Sequence, residues 1–256
     1  MAPHPVPHAA AADAIGGAYA RRARRLLELV NALRGAGAHM DIDLPTVVVC
    51  GNQSVGKSSL IEAVCGIELP RSDGTCTRCV TEVRLAEHPP APPGAGADAA
   101  GAAAAPPPAT PWSCTLRLRF EFDGHGRPLP AVREVPFGPP LADRALVPLA
   151  VRRAQKALLN PSTDPARFEA HAFGDDGADD ARANELAFTR NVVCLDVVGA
   201  GVNLALVDLP GIIRSVDRKE DAGSIEMIQD LVRTYIARER TIIVAAITCK
   251  DEIENQ

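Results

Sequence analysis

The sequence has no long apolar run, since its longest strongly apolar stretch extends only from Ile242 to Ile247. A bilayer-spanning helix needs about 20 such residues, so a transmembrane protein of that kind is excluded. Positive charge is also scarce, because 27 Lys and Arg residues stand against 32 Asp and Glu residues, for a net charge of −5. This balance argues against a protein that binds nucleic acid through bulk positive charge. No secretory leader opens the chain, so we expect a reducing compartment for its seven cysteines.

Candidate metal ligands at a useful spacing are few as well. Cys76 and Cys79 form one C-x-x-C pair, but no second pair follows and the six histidines are far apart. Because zinc sites generally need four such ligands, a zinc or redox role is only a minor alternative.

What is present is the composition of a globular chain with a substantial core, at 256 residues and 46% hydrophobic. We divide it into a disordered tip over residues 1–18, a helix over 19–43 and a domain over 44–256. A transit peptide at the N-terminus is the less favoured alternative. Residues 89–111 hold eight Pro, ten Ala and three Gly, which leaves so little to bury that we expect a disordered insert.

The rest of the domain alternates between strand and helix patterns. The expected strands are Thr46–Val49, Cys114–Phe122, Asn191–Val198, Leu204–Asp208 and Thr241–Thr248, and the expected helices are 57–66, 142–159 and 224–237. The short link from Gly199 to Gly201 is compatible with an antiparallel hairpin between the two strands that it joins. The alternation predicts an α/β fold with a mixed, mostly parallel sheet flanked by helices.

A phosphate-binding motif follows the first expected strand. Residues Gly51 to Ser58 match G-x-x-x-x-G-K-[ST], in which backbone N–H groups and a helix N-terminus hold phosphate oxygens. Lys57 would neutralise charge on the β- and γ-phosphates, and the Ser58 hydroxyl would ligate Mg²⁺. The predicted phosphate-binding residues are Gly51, Asn52, Gln53, Ser54, Val55, Gly56, Lys57, Ser58 and Ser59.

A second motif, D-x-x-G, occurs five times, but only the copy from Asp208 to Gly211 ends a buried run and breaks into a turn. An acid at the carboxyl end of a strand can reach a ligand, so we expect Asp208 to hold Mg²⁺ and Gly211 to meet the γ-phosphate, with Leu209 and Pro210 beside them. Ile212 follows at the position where small Ras-like GTPases carry a water-orienting glutamine. Gln53 and Ser54 are the nearest polar candidates for that work.

Several segments, taken in order, resemble the dynamin superfamily of large GTPases and are similar to its fungal dynamin-like members. They are Leu44-Pro45, residues 51–62, Leu69-Pro70-Arg71, residues 75–79, residues 191–195 and residues 206–211. The resemblance covers about residues 26–87 and 130–256 and implies a P-loop G domain that binds and hydrolyses GTP with Mg²⁺. It also implies dimerisation through the nucleotide face and a helical stalk that assembles on membranes and remodels or divides them. The resemblance further implies a cytoplasmic location at the membrane periphery. It implies microtubules as a further partner and no binding to nucleic acid.

The resemblance also implies roles for single residues. Gln53 is similar to a catalytic glutamine that acts on dimerisation, and Ser54 to the ligand of a monovalent cation, K⁺ or Na⁺, that replaces an arginine finger. Thr77 is similar to the switch-one threonine, which binds Mg²⁺ and fixes the attacking water. Lys57 and Gly211 complete the expected catalytic set.

One part of the family pattern is missing, namely the guanine-reading Thr-Lys-x-Asp motif. Thr248-Cys249-Lys250-Asp251 comes early, and its lysine and aspartate are adjacent, so its spacing is wrong. We therefore expect a C-terminally truncated part of a dynamin-type G domain, with little GTP turnover by itself. A P-loop ATPase and a non-catalytic nucleotide-binding or interaction fragment are the alternatives.

Overall fold

The computed structural model describes residues 45–70, 77–86, 111–169, 184–200, 204–212 and 222–247. Six residues of the expected N-terminal helix are also described, and all of them are helical: Arg22, Arg25, Leu26, Leu29, Val30 and Leu33. The predicted tip and, apart from Pro111, the predicted insert lie outside the described residues. No helix within the described ranges is long and apolar enough to cross a membrane.

Seven strands of the described chain form one sheet. They are β1 (Thr46–Cys50), β2 (Val80–Ala86), β3 (Ser113–Phe122), β4 (Pro128–Leu141), β5 (Val192–Val198), β6 (Leu204–Asp208) and β7 (Thr241–Ala245). Their order across the sheet is β4-β3-β5-β2-β6-β1-β7. The pairs β1–β6, β1–β7 and β2–β5 are parallel, whereas β2–β6, β3–β5 and β3–β4 are antiparallel.

Helices cover both faces of this sheet. Those in the described ranges that follow β1 are α1 (Lys57–Cys65), α2 (Val147–Leu159), α3 (Ala166–Glu169) and α4 (Ala222–Ile236). Adjacent residues of β1 show the layering, because Val49 packs in the cluster that contains α1 and α2, and Val48 packs in the cluster that contains α4. The α/β sheet flanked by helices that the sequence predicts is confirmed.

The predicted hairpin between β5 and β6 is wrong. β2 lies between these strands, where Val80 pairs with Val192 on β5 and Thr81 pairs with Asp208 on β6. Two strands separated by one other strand are only about 10 Å apart, a distance that the five-residue link over 199–203 can span. A short connection therefore limits the separation of two strands but does not show that they are neighbours.

Two strands, β2 and β4, are not predicted by the sequence patterns. β4 contains five prolines and lies at one edge of the sheet, which is where a strand that lacks N–H donors can be accommodated. β7 ends at Ala245, so the expected extension of this strand to Thr248 is wrong for the two residues, Ala246 and Ile247, that the structure describes beyond it.

Candidate functional site

The segment from Gly51 to Gly56 forms a tight turn between β1 and α1. Gly51 has a φ of +148°, and a Cβ atom at this position would lie 2.3 Å from the carbonyl oxygen of Ala246, so no larger residue fits. Ser54, at φ 62°, is the only non-glycine residue of the described chain with a positive φ. No side chain caps the start of α1 at Gly56, which leaves the N–H groups of its first turn open to a ligand.

The chain after β6 lies directly against this turn. The Gln53 N–H donates to the carbonyl oxygen of Ile212 over 3.3 Å, and the Ile212 N–H donates to that of Gly51 over 3.2 Å. The Ile212 side chain packs against the apolar cluster under α4, which is consistent with its having no water-orienting role. The two sequence motifs thus meet at the carboxyl ends of β1 and β6, the usual ligand-binding edge of such a sheet.

Lys57 is buried at the centre of this edge, with 6% of its surface exposed. Its Nζ atom donates to the carbonyl oxygen of Asn52 over 2.9 Å, which leaves donors for a phosphate group. Burial lowers the pKa of Lys57 below its ordinary value, while Asp208 and Cys50 oppose that change. A buried ammonium group beside an open helix N-terminus is well placed to bind an anion.

Asp208 is the second buried charge, with 2% of its surface exposed. Its Oδ2 atom accepts hydrogen bonds from the Ser58 hydroxyl over 3.0 Å and from the Thr77 hydroxyl over 3.3 Å. Its Oδ1 atom is buried and has no hydrogen-bond partner among the described residues. Burial raises the pKa of Asp208 to about 6, although Ser58, Lys57 and Thr77 act in the opposite direction.

This group of oxygens suits a magnesium ion. Mg²⁺ prefers oxygen ligands, and it is bound in nucleotide sites by one or two carboxylates and hydroxyls together with phosphate groups. The orphaned Oδ1 atom of Asp208 and the two hydroxyls that surround Oδ2 supply such a set. The structure therefore brings together Ser58, Thr77 and Asp208, the three residues for which the sequence predicts a magnesium role.

The remaining predicted residues lie around this centre. Ser54 is exposed at the tip of the turn, Ser59 is exposed on α1, and Val55 is half-buried. Leu209 and Pro210 are buried beneath the turn that leads to Gly211. The individual roles of all these residues stay predictions.

Cys79 is fully buried, and burial raises the pKa of its thiol far above the ordinary value. Reactive thiols are partly exposed and have lowered pKa values, so the position of Cys79 does not favour the redox alternative. Its partner in the C-x-x-C pattern, Cys76, lies outside the described residues.

Arg78 is a residue to which the sequence analysis gave no role. The signals in the sequence are its position next to Thr77 and its place in the segment 75–79 that carries the family resemblance. The structure shows that Arg78 contacts Ala187 and Phe188 in the segment before β5.

A turn that opens a helix, with a buried lysine and a hydroxyl–carboxylate group converging at one edge of the sheet, defines a P-loop nucleotide-binding domain. Within that class, the chain is similar to G domains of the dynamin superfamily. The profile described as "Dynamin family" matches residues 47–103.

Relatives match across most of the chain. It is 23% identical to the interferon-induced GTP-binding protein Mx of Dicentrarchus labrax, over 94% of this chain and 28% of that protein. It is 25% identical to the interferon-induced GTP-binding protein MxA of Danio rerio, over 92% of this chain and 28% of that protein. It is 26% identical to the interferon-induced GTP-binding protein Mx2 of Sus scrofa, over 92% of this chain and 25% of that protein. The chain spans about a quarter of the length of these curated relatives, and the fungal likeness stays a prediction.

Proposed function

We propose that the chain is the nucleotide-binding part of a GTPase that hydrolyses GTP to GDP and phosphate and that associates with itself through this domain. The convergence of Lys57, Ser58, Thr77 and Asp208 at one edge of the sheet is the observation that carries the proposal. Its guanine specificity is supported by the relatives, whose names describe GTP-binding proteins.

The chain's own residues divide the work of phosphate binding. The N–H groups of the Gly51–Gly56 turn and of the first turn of α1, with Lys57, hold the phosphate oxygens. Bound Mg²⁺ supplies positive charge that offsets the charge developing on the transferred phosphoryl group. A Cβ atom at Gly211 would lie 3.0 Å from Lys57 Nζ, the atom that holds the phosphate. Because glycine has no Cβ atom, the backbone at Gly211 can approach the γ-phosphate closely.

Activation of the attacking water is proposed for Thr77 and Gln53, with a K⁺ or Na⁺ ion held at Ser54. Ser54 is exposed at the tip of the turn, where a second G domain that faces the nucleotide can reach it. Interactions with the developing charge act mainly in the transition state. We therefore expect Ser54→Ala to slow hydrolysis far more than it weakens GTP binding.

Steady-state phosphate release by a longer form of the protein that includes a guanine-reading motif, measured across protein concentration in K⁺ and in a bulky organic cation, tests this mechanism. Turnover is expected to rise with protein concentration and to require the small cation. Ser113→Ala, on β3 and outside the site, is the matched control. Rates that respond to neither variable would contradict the roles of Gln53 and Ser54.

Competition between nucleotides tests the base specificity. A fluorescent GTP analogue bound to a longer form of the protein that includes a guanine-reading motif should be displaced by GTP and not by ATP in large excess. Equal displacement by ATP would favour the P-loop ATPase, and absence of binding would favour a non-catalytic interaction fragment.

A more specific proposal concerns the whole protein. We propose that it assembles on membranes from the cytoplasmic side, remodels them and has microtubules as a further partner. Its support is the family resemblance. Co-sedimentation of the full-length protein with vesicles and with microtubules, with and without GTP, tests it, and absence from both pellets would refute it.

A further inference from the structure

Residues 187–191, here called the connector segment, lie beside Arg78, the residue that follows Thr77. The Thr189 N–H donates to the carbonyl oxygen of Arg78 over 3.1 Å. Arg78 Nη1 donates to the carbonyl oxygen of Ala187 over 3.4 Å, and the Arg78 guanidinium lies 5.9 Å from the centre of the Phe188 ring. Both the backbone and the side chain of Arg78 are therefore held by the connector segment.

The connector segment is itself firmly anchored. The side-chain oxygen of Asn191 accepts from the N–H groups of Glu121 and Phe122, over 2.9 and 3.0 Å, and its amide donates to the Phe122 carbonyl over 3.1 Å. Thr189 and Asn191 are both buried, and the Asn191 N–H donates to the Thr189 hydroxyl. Buried polar groups that are bonded in this way make a rigid support.

The same segment reaches α4. Phe188 packs against the apolar cluster that contains Ile228 of α4, and Arg190 forms a 2.8 Å ion pair with Asp230. The connector segment thus contacts both the chain that carries Thr77 and the helix that follows the Asp208–Gly211 motif.

We propose that the connector segment fixes the position of Thr77 through Arg78, which makes Arg78 a positioning residue for magnesium binding. This inference rests on the proposed function. The Thr77 hydroxyl lies 3.3 Å from Asp208 Oδ2. Thr77 is the residue before Arg78, so a displacement of Arg78 would also displace this hydroxyl. When the binding-competent arrangement is populated only in part, the apparent affinity falls by that fraction. Loss of the Arg78 side chain should therefore raise the Mg²⁺ requirement without removing the phosphate-binding turn.

The test measures binding of a fluorescent GTP analogue to the full 256-residue chain as a function of Mg²⁺ concentration. Arg78→Ala should raise the half-saturating Mg²⁺ concentration about five- to tenfold, because a hydrogen bond and a cation–π contact are lost. Affinity for the analogue without Mg²⁺ and the thermal midpoint should remain close to those of the unmodified chain.

Related variants sharpen the test. Phe188→Ala should reproduce the effect, and the double variant Arg78→Ala/Phe188→Ala should be less than additive, since the residues are in contact. Arg78→Lys, which keeps the charge, should recover part of the affinity for Mg²⁺ and covers the case in which Arg78→Ala fails to fold. Arg133→Ala is the matched control, because its guanidinium also lies over a ring, 4.7 Å from Phe120, but on the β3–β4 pair.

The possible outcomes are distinguishable. An unchanged Mg²⁺ requirement in Arg78→Ala, or an equal loss of binding with and without Mg²⁺, would overturn the inference and leave the proposed function standing. Failure of the unmodified chain to bind the analogue at any Mg²⁺ concentration would instead refute the proposed function, and the inference with it.

Discussion

At the scale of single residues, Gly211 occupies a position where no side chain fits. A Cβ atom there would lie 2.7 Å from Gln53 Cα and 3.0 Å from Lys57 Nζ. Gly211→Ala should therefore push the two motifs apart and weaken GTP binding at least tenfold, because overpacking of a close contact costs about 1–3 kcal/mol and about 1.4 kcal/mol corresponds to a factor of ten.

Gly223→Ala provides the control for this prediction, because a Cβ atom at Gly223 in α4 would meet nothing within 4 Å. Equilibrium titration with a fluorescent GTP analogue compares the two variants. Equal affinity of Gly211→Ala and the unmodified chain would show that this close approach has no part in binding.

Asp208 leads to a prediction about pH. Its pKa is about 6 in the folded chain against an ordinary value of 3.8, because burial disfavours the charge. The ionised carboxylate thus destabilises the ligand-free fold as pH rises from about 4 to about 6. Mg²⁺ needs that ionised form, so the half-saturating Mg²⁺ concentration for nucleotide binding should rise about tenfold per pH unit below 6.

Asp208→Asn separates the two effects. Without Mg²⁺ it should be at least as stable as the unmodified chain at pH 7, because the buried charge is removed, yet nucleotide binding should no longer respond to Mg²⁺. Titrations between pH 5 and 7 that give the same Mg²⁺ requirement throughout would rule out Asp208 as the titrating ligand.

At the scale of elements, a buried group of charges joins β2 to β3 on the side of the sheet that α4 covers. Glu82 pairs with Arg84 over 2.9 Å and with Arg119 over 2.5 Å, and all three are buried. Burial by itself would raise the pKa of Glu82, but Arg119 and Arg84 lower it well below its ordinary value.

Glu82→Gln should destabilise the fold by about 1–3 kcal/mol, because two buried guanidinium groups lose their nearest shared carboxylate and keep the more distant Glu134. The folded pKa is depressed, so this stabilisation is present above pH 4.5, the ordinary pKa of Glu82, and is lost as pH falls further. Urea unfolding at pH 7 and pH 4 measures the free energy of unfolding of Glu82→Gln and of the unmodified chain. Glu226→Gln, at an exposed position on α4, is the control. Equal midpoints for Glu82→Gln and the control at pH 7 would contradict the prediction.

This group of charges also shows why part of the fold could not be predicted from the sequence. The alternation of apolar and polar residues predicts that β3 is half-buried and that Arg119 lies on its polar side. In the structure Arg119 is instead buried against Glu82, which belongs to β2, a strand that the sequence patterns do not predict.

The patterns around β1, α1 and α4 lie within short windows, so their bounds were predicted to within a few residues. The insertion of β2 between β5 and β6 depends on pairing between distant segments, which no local window contains. The loop Gly51–Ser58 was recognised because its phosphate-binding residues are consecutive in the sequence. Arg78, in contrast, contacts residues that are more than 100 positions away.

At the scale of the whole molecule, the two edges of the sheet differ. β4 carries five prolines, and proline blocks pairing at an exposed edge. β7 contains neither proline nor charge, pairs with β1 alone among the described strands, and exposes 63% of Ile242 and 50% of Ile243. An apolar, unblocked edge of this kind favours association.

We therefore expect the 256-residue chain to form oligomers or to be poorly soluble, and Ile242→Lys to shift it toward the monomer. Ala131→Lys on β4 is the matched control and should leave association unchanged. Sedimentation velocity at several concentrations measures the distribution. If the unmodified chain is monomeric, the expectation that the β7 edge favours association is contradicted.

Binding of a fluorescent GTP analogue to the unmodified chain and to Lys57→Ala tests most directly whether the Gly51–Ser58 loop holds nucleotide phosphates. We predict tight, Mg²⁺-dependent binding to the unmodified chain and a loss of about 1.5–3 kcal/mol in Lys57→Ala, because a charge-assisted contact disappears. The thermal midpoint should remain unchanged, and Lys156→Ala on α2 should bind as the unmodified chain does. Equal affinities of Lys57→Ala and the unmodified chain would contradict the account.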